Sequence, residues 1–219
     1  MERLLDLLPD LGEATVETLY IVVISLFFGG IGGLVIGLGL YTTRAGSLFE
    51  NRVAFTLLNI LVNVFRPIPF IIFIAAVQPL ARLAVGTGIG NSALIFAISL
   101  GAAFGISRIV EQNLLTVSPG VIEAARAAGA GPFRIIRTVI LPEALGPLIL
   151  GYTFVFVAIV DMSAVGGYIG GGGIGNFAIQ YGYRQFNPAV TWAAVLVIIL
   201  LVQLVQFSGN ALARRILRR

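Results

Sequence analysis

This chain has no cysteine, no histidine and no lysine. The first absence rules out disulfides and thiolate metal sites, and it leaves the redox compartment without a signature. Together the three absences remove the usual nucleophile–base pairs and metal constellations, so an enzyme is the weakest functional class. The missing lysine also excludes a G-x-x-x-x-G-K-[ST] phosphate loop. ATP hydrolysis, if it is used, must belong to another chain, and no cofactor is expected on this one. Charge is scarce as well, at 11% of 219 residues, where a soluble domain carries roughly a quarter.

What is present is apolar: 58% of the residues are hydrophobic and the mean hydropathy is +1.00. That composition belongs to an integral membrane protein. All 14 basic residues are arginine, and Arg214, Arg215, Arg218 and Arg219 end the chain. Such a cluster suits an anionic membrane surface, and nucleic acid is not an expected partner. The opening MERLLDLLPDLGEATVE is acidic and lacks a positive n-region and a small-residue cleavage site. The first apolar run is therefore read as a retained span.

A bilayer core needs about 20 apolar residues in a helix. Stretches near 18–41, 55–80, 93–110, 145–165 and 190–212 meet that need. Bare backbone is not tolerated in lipid, so each is expected to be helical. Arg44, Arg52, Arg126, Arg134, Arg137 and the terminal arginines fall on one side of the resulting topology. The other side holds Arg3, Arg82 and Arg184 with Glu2, Asp6, Asp10, Glu13 and Glu17. The positive-inside rule then places the N-terminus outside and the C-terminus in the cytoplasm. The expected fold is an all-α integral membrane protein of about five transmembrane helices, one transmembrane domain over 1–219 without repeats.

Against this background EAARAAGAGPFRIIRTVILPEA, residues 123–144, stands out by its charge. Ser118-Pro119 reads as a helix start and Gly129 as a left-handed stop. Gly131-Pro132 opens a second helix that Pro142 is expected to interrupt. Two readings of the segment stay open on residues alone. It can lie on the inner leaflet with its arginines at lipid phosphates, or it can dock a cytoplasmic partner through a short helix rich in alanine.

Glu123-Ala124-Ala125, Gly129 and Leu141-Pro142 resemble, at matching spacing, the EAA motif of type I ABC importer permeases. NVFRPIPFIIF (63–73), GTGIG (86–90), the glycine run ending at 175 and QYGY (180–183) are similar to the methionine-uptake branch of that family. The resemblance implies a coupling loop over about 118–142, with Glu123, Ala124, Ala125, Arg126, Gly129, Leu141 and Pro142 as ATPase-coupling residues. It further implies a permease homodimer, two ATP-binding cassette subunits that bind the ATP, and an external substrate-binding protein. The implied activity is import of methionine or a related amino acid by alternating access, in a bacterial inner membrane. Pro67 stands where the resemblance predicts serine, and Asp161 where it predicts a small uncharged residue.

Charges at membrane depth must face protein or water, since each costs about 2.5–3.5 kcal/mol at the bilayer centre on insertion scales. Arg108 and Glu111 are spaced as a helical pair, either structural or part of the docking surface. Arg66, beside Pro67-Ile68-Pro69, is read as structural. Asp161 has two readings: it lines a translocation path with Met162 and Ser163, or it pairs across helices with Arg66. Gly29, Gly33 and Gly37 form a small-residue face that is expected to pack within one subunit. GGGGIG (170–175) matches a dinucleotide fingerprint as a string only, because no βαβ unit surrounds it. The rival function is an amino-acid carrier driven by an ion gradient, with Asp161 as its proton site; another is an ABC permease for a different small polar solute. Small span count, lack of inverted repeats and the charged loop weigh against a gradient-driven carrier.

Overall fold

A computed structural model describes residues 5–217; Glu2, Arg3, Arg218 and Arg219 lie outside them. The helices are α1 (Leu8–Thr43), α2 (Arg52–Phe65), α3 (Phe70–Val85), α4 (Gly90–Leu114), α5 (Pro119–Ala127) and α6 (Pro132–Ile135). They continue as α7 (Leu141–Ala164), α8 (Ile174–Phe177) and α9 (Pro188–Leu217). No strand occurs among the described residues. Four helical stretches are long and apolar enough to cross a membrane, and the bent α2–α3 pair brings the number to five if it is counted as one span.

Helix α1 has 36 residues, about 54 Å at 1.5 Å per residue, well beyond a bilayer core. It lies along α4, and the glycine face explains how closely. A Cβ at Gly33 would stand 2.5 Å from Ile106 Cβ, and one at Gly37 2.6 Å from Val110 Cβ. At Gly29 the obstacle would be the Ser99 carbonyl oxygen, 2.8 Å away. The glycines thus pack within the subunit, and α1 with α4 forms a two-helix rod. Ile21, Leu40, Leu94, Ile98 and Ile106 fill the core around it.

The second span is not one helix. It breaks at Arg66–Pro69, and α2 and α3 meet at 116°. Two prolines within three residues explain the elbow, since each lacks an N–H and disfavours a helical residue before it. Phe65 stacks on Phe104 at 5.0 Å between centroids and meets Phe73 edge-on at 6.5 Å, packing the inside of the bend. Arg66 is exposed at the elbow. Leu58 of α2 reaches Gly39 near the end of α1, and Phe73 of α3 packs on Gly101. The pair therefore still carries the chain from the end where α1 stops to the end where α4 starts.

Arg108 anchors the bent element. Its guanidinium donates to Glu111 Oε2 at 2.6 Å, to Asn63 Oδ1 at 2.7 Å and to Asn59 Oδ1. Among the described residues this is the one ion pair, and its side chains are 15% and 6% exposed. Two asparagines one turn apart on α2 thus grip a charge on α4, which assigns the Arg108–Glu111 pair a structural role.

Pro142 does not interrupt its helix. The segment from Pro132 to Gly167 is continuous, because a π-helical turn over Ile136–Ile140 precedes the proline. The Leu141 N–H reaches back to the Ile136 carbonyl, and this wider turn makes room for the ring that an α-turn would crowd. A second π-helical turn spans Ala178–Tyr183 before α9.

Candidate functional site

Helix α5 starts at Ser118, whose side chain makes no capping bond; the Val121 N–H bonds to the Ser118 carbonyl at 3.2 Å. It ends in a Schellman motif. The Gly129 N–H bonds to the Arg126 carbonyl at 2.9 Å and the Ala130 N–H to the Ala125 carbonyl at 3.0 Å. Gly129 has φ +79, and a Cβ there would meet nothing within 4 Å. Glycine is needed at 129 for backbone conformation and not for space.

Orientation of α5 follows from two apolar residues spaced three apart. Ile122 and Ala125 pack on the core, as does Ala130 just beyond the cap. That leaves Glu123, Ala124, Arg126, Ala127, Ala128 and Gly129 exposed on the other side. Glu123 and Arg126 also border a cavity of about 260 Å³ shared with Tyr41, Arg44 and Leu48. Phe49 and Phe133 touch at 5.2 Å between ring centroids, tying the loop after α1 to the start of α6. Sequence reasoning missed Ile122, the inward packing of Ala125 and this aromatic contact; the i, i+3 spacing of Ile122 and Ala125 was the available signal.

Leu141 is half-buried against the core and Pro142 is exposed, both at the start of α7 and not on the helix of Glu123. The residues expected to couple therefore separate into an exposed helical face, with Glu123, Ala124, Arg126 and Gly129, an inward-packed Ala125, and Leu141-Pro142 just after the π turn. Leu217, at the end of α9, packs against Gly146. Arg44, Arg126 and the C-terminal end of α9 thus share one end of the molecule, as the charge pattern in the sequence expects.

Asp161, Met162 and Ser163 occupy the last turns of α7 and do not point the same way. Asp161 is exposed on the protomer, and Met162 is half-buried against the core. Ser163 is buried, and its hydroxyl donates to the Val160 carbonyl at 2.7 Å. No ion pair joins Asp161 to Arg66 among the described residues. The exposed carboxylate is left facing whatever lies beside the protomer.

The opposite end of the rod carries a polar cluster that sequence reasoning passed over. The N–H groups of Gly172, Gly173 and Ile174 donate to Asn91 Oδ1 at 2.8 Å, Glu17 Oε2 at 2.7 Å and Thr18 Oγ1 at 2.7 Å. Asn91 Nδ2 in turn donates to Glu17 Oε1. The partners lie 74 to 156 positions apart in sequence, so no local pattern could reveal them.

Comparison with known proteins agrees with this architecture. Residues 33–218 match the family of binding-protein-dependent transport system inner membrane components. A probable D-methionine transport system permease protein of Vibrio cholerae is 40% identical over 203 residues, covering 93% of this chain and 90% of the relative. The methionine import system permease protein of Bacillus subtilis is 39% identical over 212 residues, covering 97% and 96%. A chain from an inward-facing structure of the MetNI methionine ABC transporter superposes with a TM-score of 0.93 at 40% identity, covering 96% of this chain and 98% of that one. This chain belongs to the family of binding-protein-dependent transport system inner membrane components.

Proposed function

We propose that this chain is the permease subunit of an ATP-driven importer of methionine or a closely related amino acid. The observation that carries the reading is the exposed α5 face, Glu123 to Gly129, held rigidly by Ile122, Ala125 and the Schellman cap at one end of a membrane bundle. Full-length likeness to methionine permeases supports the substrate. The active assembly is two copies of this chain, two ATPase subunits seated on the two α5 helices, and a binding protein at the far end. The N-terminus lies outside and the C-terminus in the cytoplasm, which puts α5 on the side where ATP is.

ATP binding draws the two ATPase subunits together, and α5 carries that motion into the α1–α4 rod and the helix through Leu141-Pro142. The ligand's differential affinity for two arrangements of the bundle is what shifts the equilibrium. Asp161, with Met162 and Ser163 on the same turns of α7, lies by the path between the protomers. There its carboxylate meets the ammonium group of the amino acid, which satisfies the rule that membrane charges are paired.

A tagged C-terminus and gentle solubilisation test the assembly. One co-purifying ATPase per permease, lost when Glu123→Arg or Gly129→Val is introduced, is the expected outcome. A permease that purifies alone from native membranes would contradict it.

A further inference from the structure

The run Gly170–Gly173 has no fold of its own to rest on. Four consecutive glycines carry the largest chain entropy of any such stretch, yet this one is held in a single conformation, with Gly170 at φ +73 and Gly173 at φ +89. It follows the 3-10 turn Val165–Ile169 at the end of α7, the helix of Asp161, and leads to the short α8 before α9. The Gly172 and Gly173 amides lie just before α8 and the Ile174 amide opens it, so none has a partner within that helix. Side chains from α1 and the α4 start take all three.

The fit is two-sided. Any side chain at Gly172 would collide with the Glu17 carboxylate, and one at Gly173 would come within 2.6 Å of the Thr18 hydroxyl. Glu17 accepts from two donors, one on each oxygen, which a neutral side chain with one acceptor oxygen does not reproduce. Charge-assisted bonds of this kind are about twice as strong as neutral ones. An apolar cluster of Leu11, Ala14, Ile174, Phe177, Val190 and Ala194 packs beside the polar tie.

Position gives the clamp its meaning. Glu17 and Asn91 sit on the two helices of the rod, whose other end reaches the coupling helix: Tyr41 lines the cavity beside Glu123 and Arg126. Glu17 is about 36 Å from Tyr41 along α1, at 1.5 Å per residue. The tight glycine contacts between them leave little room for the rod to bend or slide internally. A rod packed this tightly is suited to carry movement from the end that borders the α5 cavity to Glu17 and Asn91.

We propose that Glu17 and Asn91 are positioning residues for transport: they clamp the glycine loop to the rod, so that the loop and the Asp161 end of α7 follow the coupling helix. This rests on the importer reading above. Loss of the clamp leaves the ATPase able to turn over while the far end no longer follows, and ATP is consumed without solute movement.

The test uses the reconstituted complex with its ATPase and binding protein, with wild-type, Glu17→Ala, the nearly isosteric Glu17→Gln, and Asn91→Ala permeases. Amide hydrogen exchange across 170–177 reads the clamp directly, and labelled methionine accumulated per ATP hydrolysed reads its consequence. Expected are at least about tenfold faster exchange over 172–174 in the Glu17 variants, unchanged exchange over 29–37, and a severalfold fall in methionine moved per ATP at a retained ATPase rate. Glu17→Gln keeps the volume of the side chain, so it reports even if Glu17→Ala does not fold. Unchanged exchange and stoichiometry in Glu17→Gln and Asn91→Ala would overturn the proposal, as would parallel loss of ATPase, uptake and melting temperature in both. A wild-type complex that does not couple ATP to methionine would instead refute the importer reading; the exchange arm would still decide whether the clamp exists.

Discussion

Replacing Gly33 by alanine adds one methyl group at the closest point of the α1–α4 crossing. The new Cβ would lie 2.5 Å from Ile106 Cβ and 3.0 Å from the Ala103 carbonyl oxygen, where ordinary contact begins near 3.4 Å. The helices must part by about 1 Å, and overpacking of this order costs about 1–3 kcal/mol. Alanine's better helix propensity returns up to about 1 kcal/mol. Gly12→Ala, on the same helix, gains the same propensity without the penalty, because a Cβ there meets nothing within 4 Å. The two substitutions should therefore differ by about 1–3 kcal/mol, with Gly33→Ala the less stable. For a chain of this size that is about 2–12 °C in melting temperature. Thermal unfolding of the purified permease in mild detergent, followed by helical circular dichroism, measures the difference. Equal melting of the two variants, or a more stable Gly33→Ala, would refute the close crossing.

Three further outcomes follow from the same geometry. Arg108→Met leaves the Glu111 carboxylate buried without its charged partner and should cost about 3–5 kcal/mol, most of it regained in Arg108→Met with Glu111→Leu; denaturant titration of the three variants checks this. Gly129→Ala forces an alanine into the left-handed region at about 1–2 kcal/mol. It should loosen the end of α5 and lower uptake more than ATPase activity in the reconstituted complex; equal activities would count against the coupling role of the cap. Asp161→Asn should cut methionine uptake at least tenfold while the complex purifies intact, and unaltered uptake would remove Asp161 from the path.

The sequence displays much of this molecule because membrane and cap rules act locally. Span lengths follow from bilayer thickness, and Gly129 and Pro119 mark the ends of α5 by their own backbone preferences. The elbow at Arg66–Pro69 was only half legible: two prolines announce a break, but the 116° turn is set by Phe65, Phe73 and Phe104 packing across elements. Pro142 misled for a related reason. A proline's cost is local, whereas the π-helical turn over Ile136–Ile140 that absorbs it depends on how α6 and α7 are held. Glu17 looked like one more acidic residue near the N-terminus. Its partners at Asn91 and Gly173 are distant in the chain, and only the folded bundle brings them together.

The most direct test of the importer reading is uptake by proteoliposomes that contain this permease, its ATPase partner and a methionine-binding protein. ATP is supplied on the α5 side, with no ion gradient and a protonophore present. Accumulation of labelled methionine that requires ATP, and that Glu123→Arg abolishes, is the predicted result. Uptake that ignores ATP and collapses with the proton gradient would contradict it, and would make Asp161 the proton site of a gradient-driven carrier.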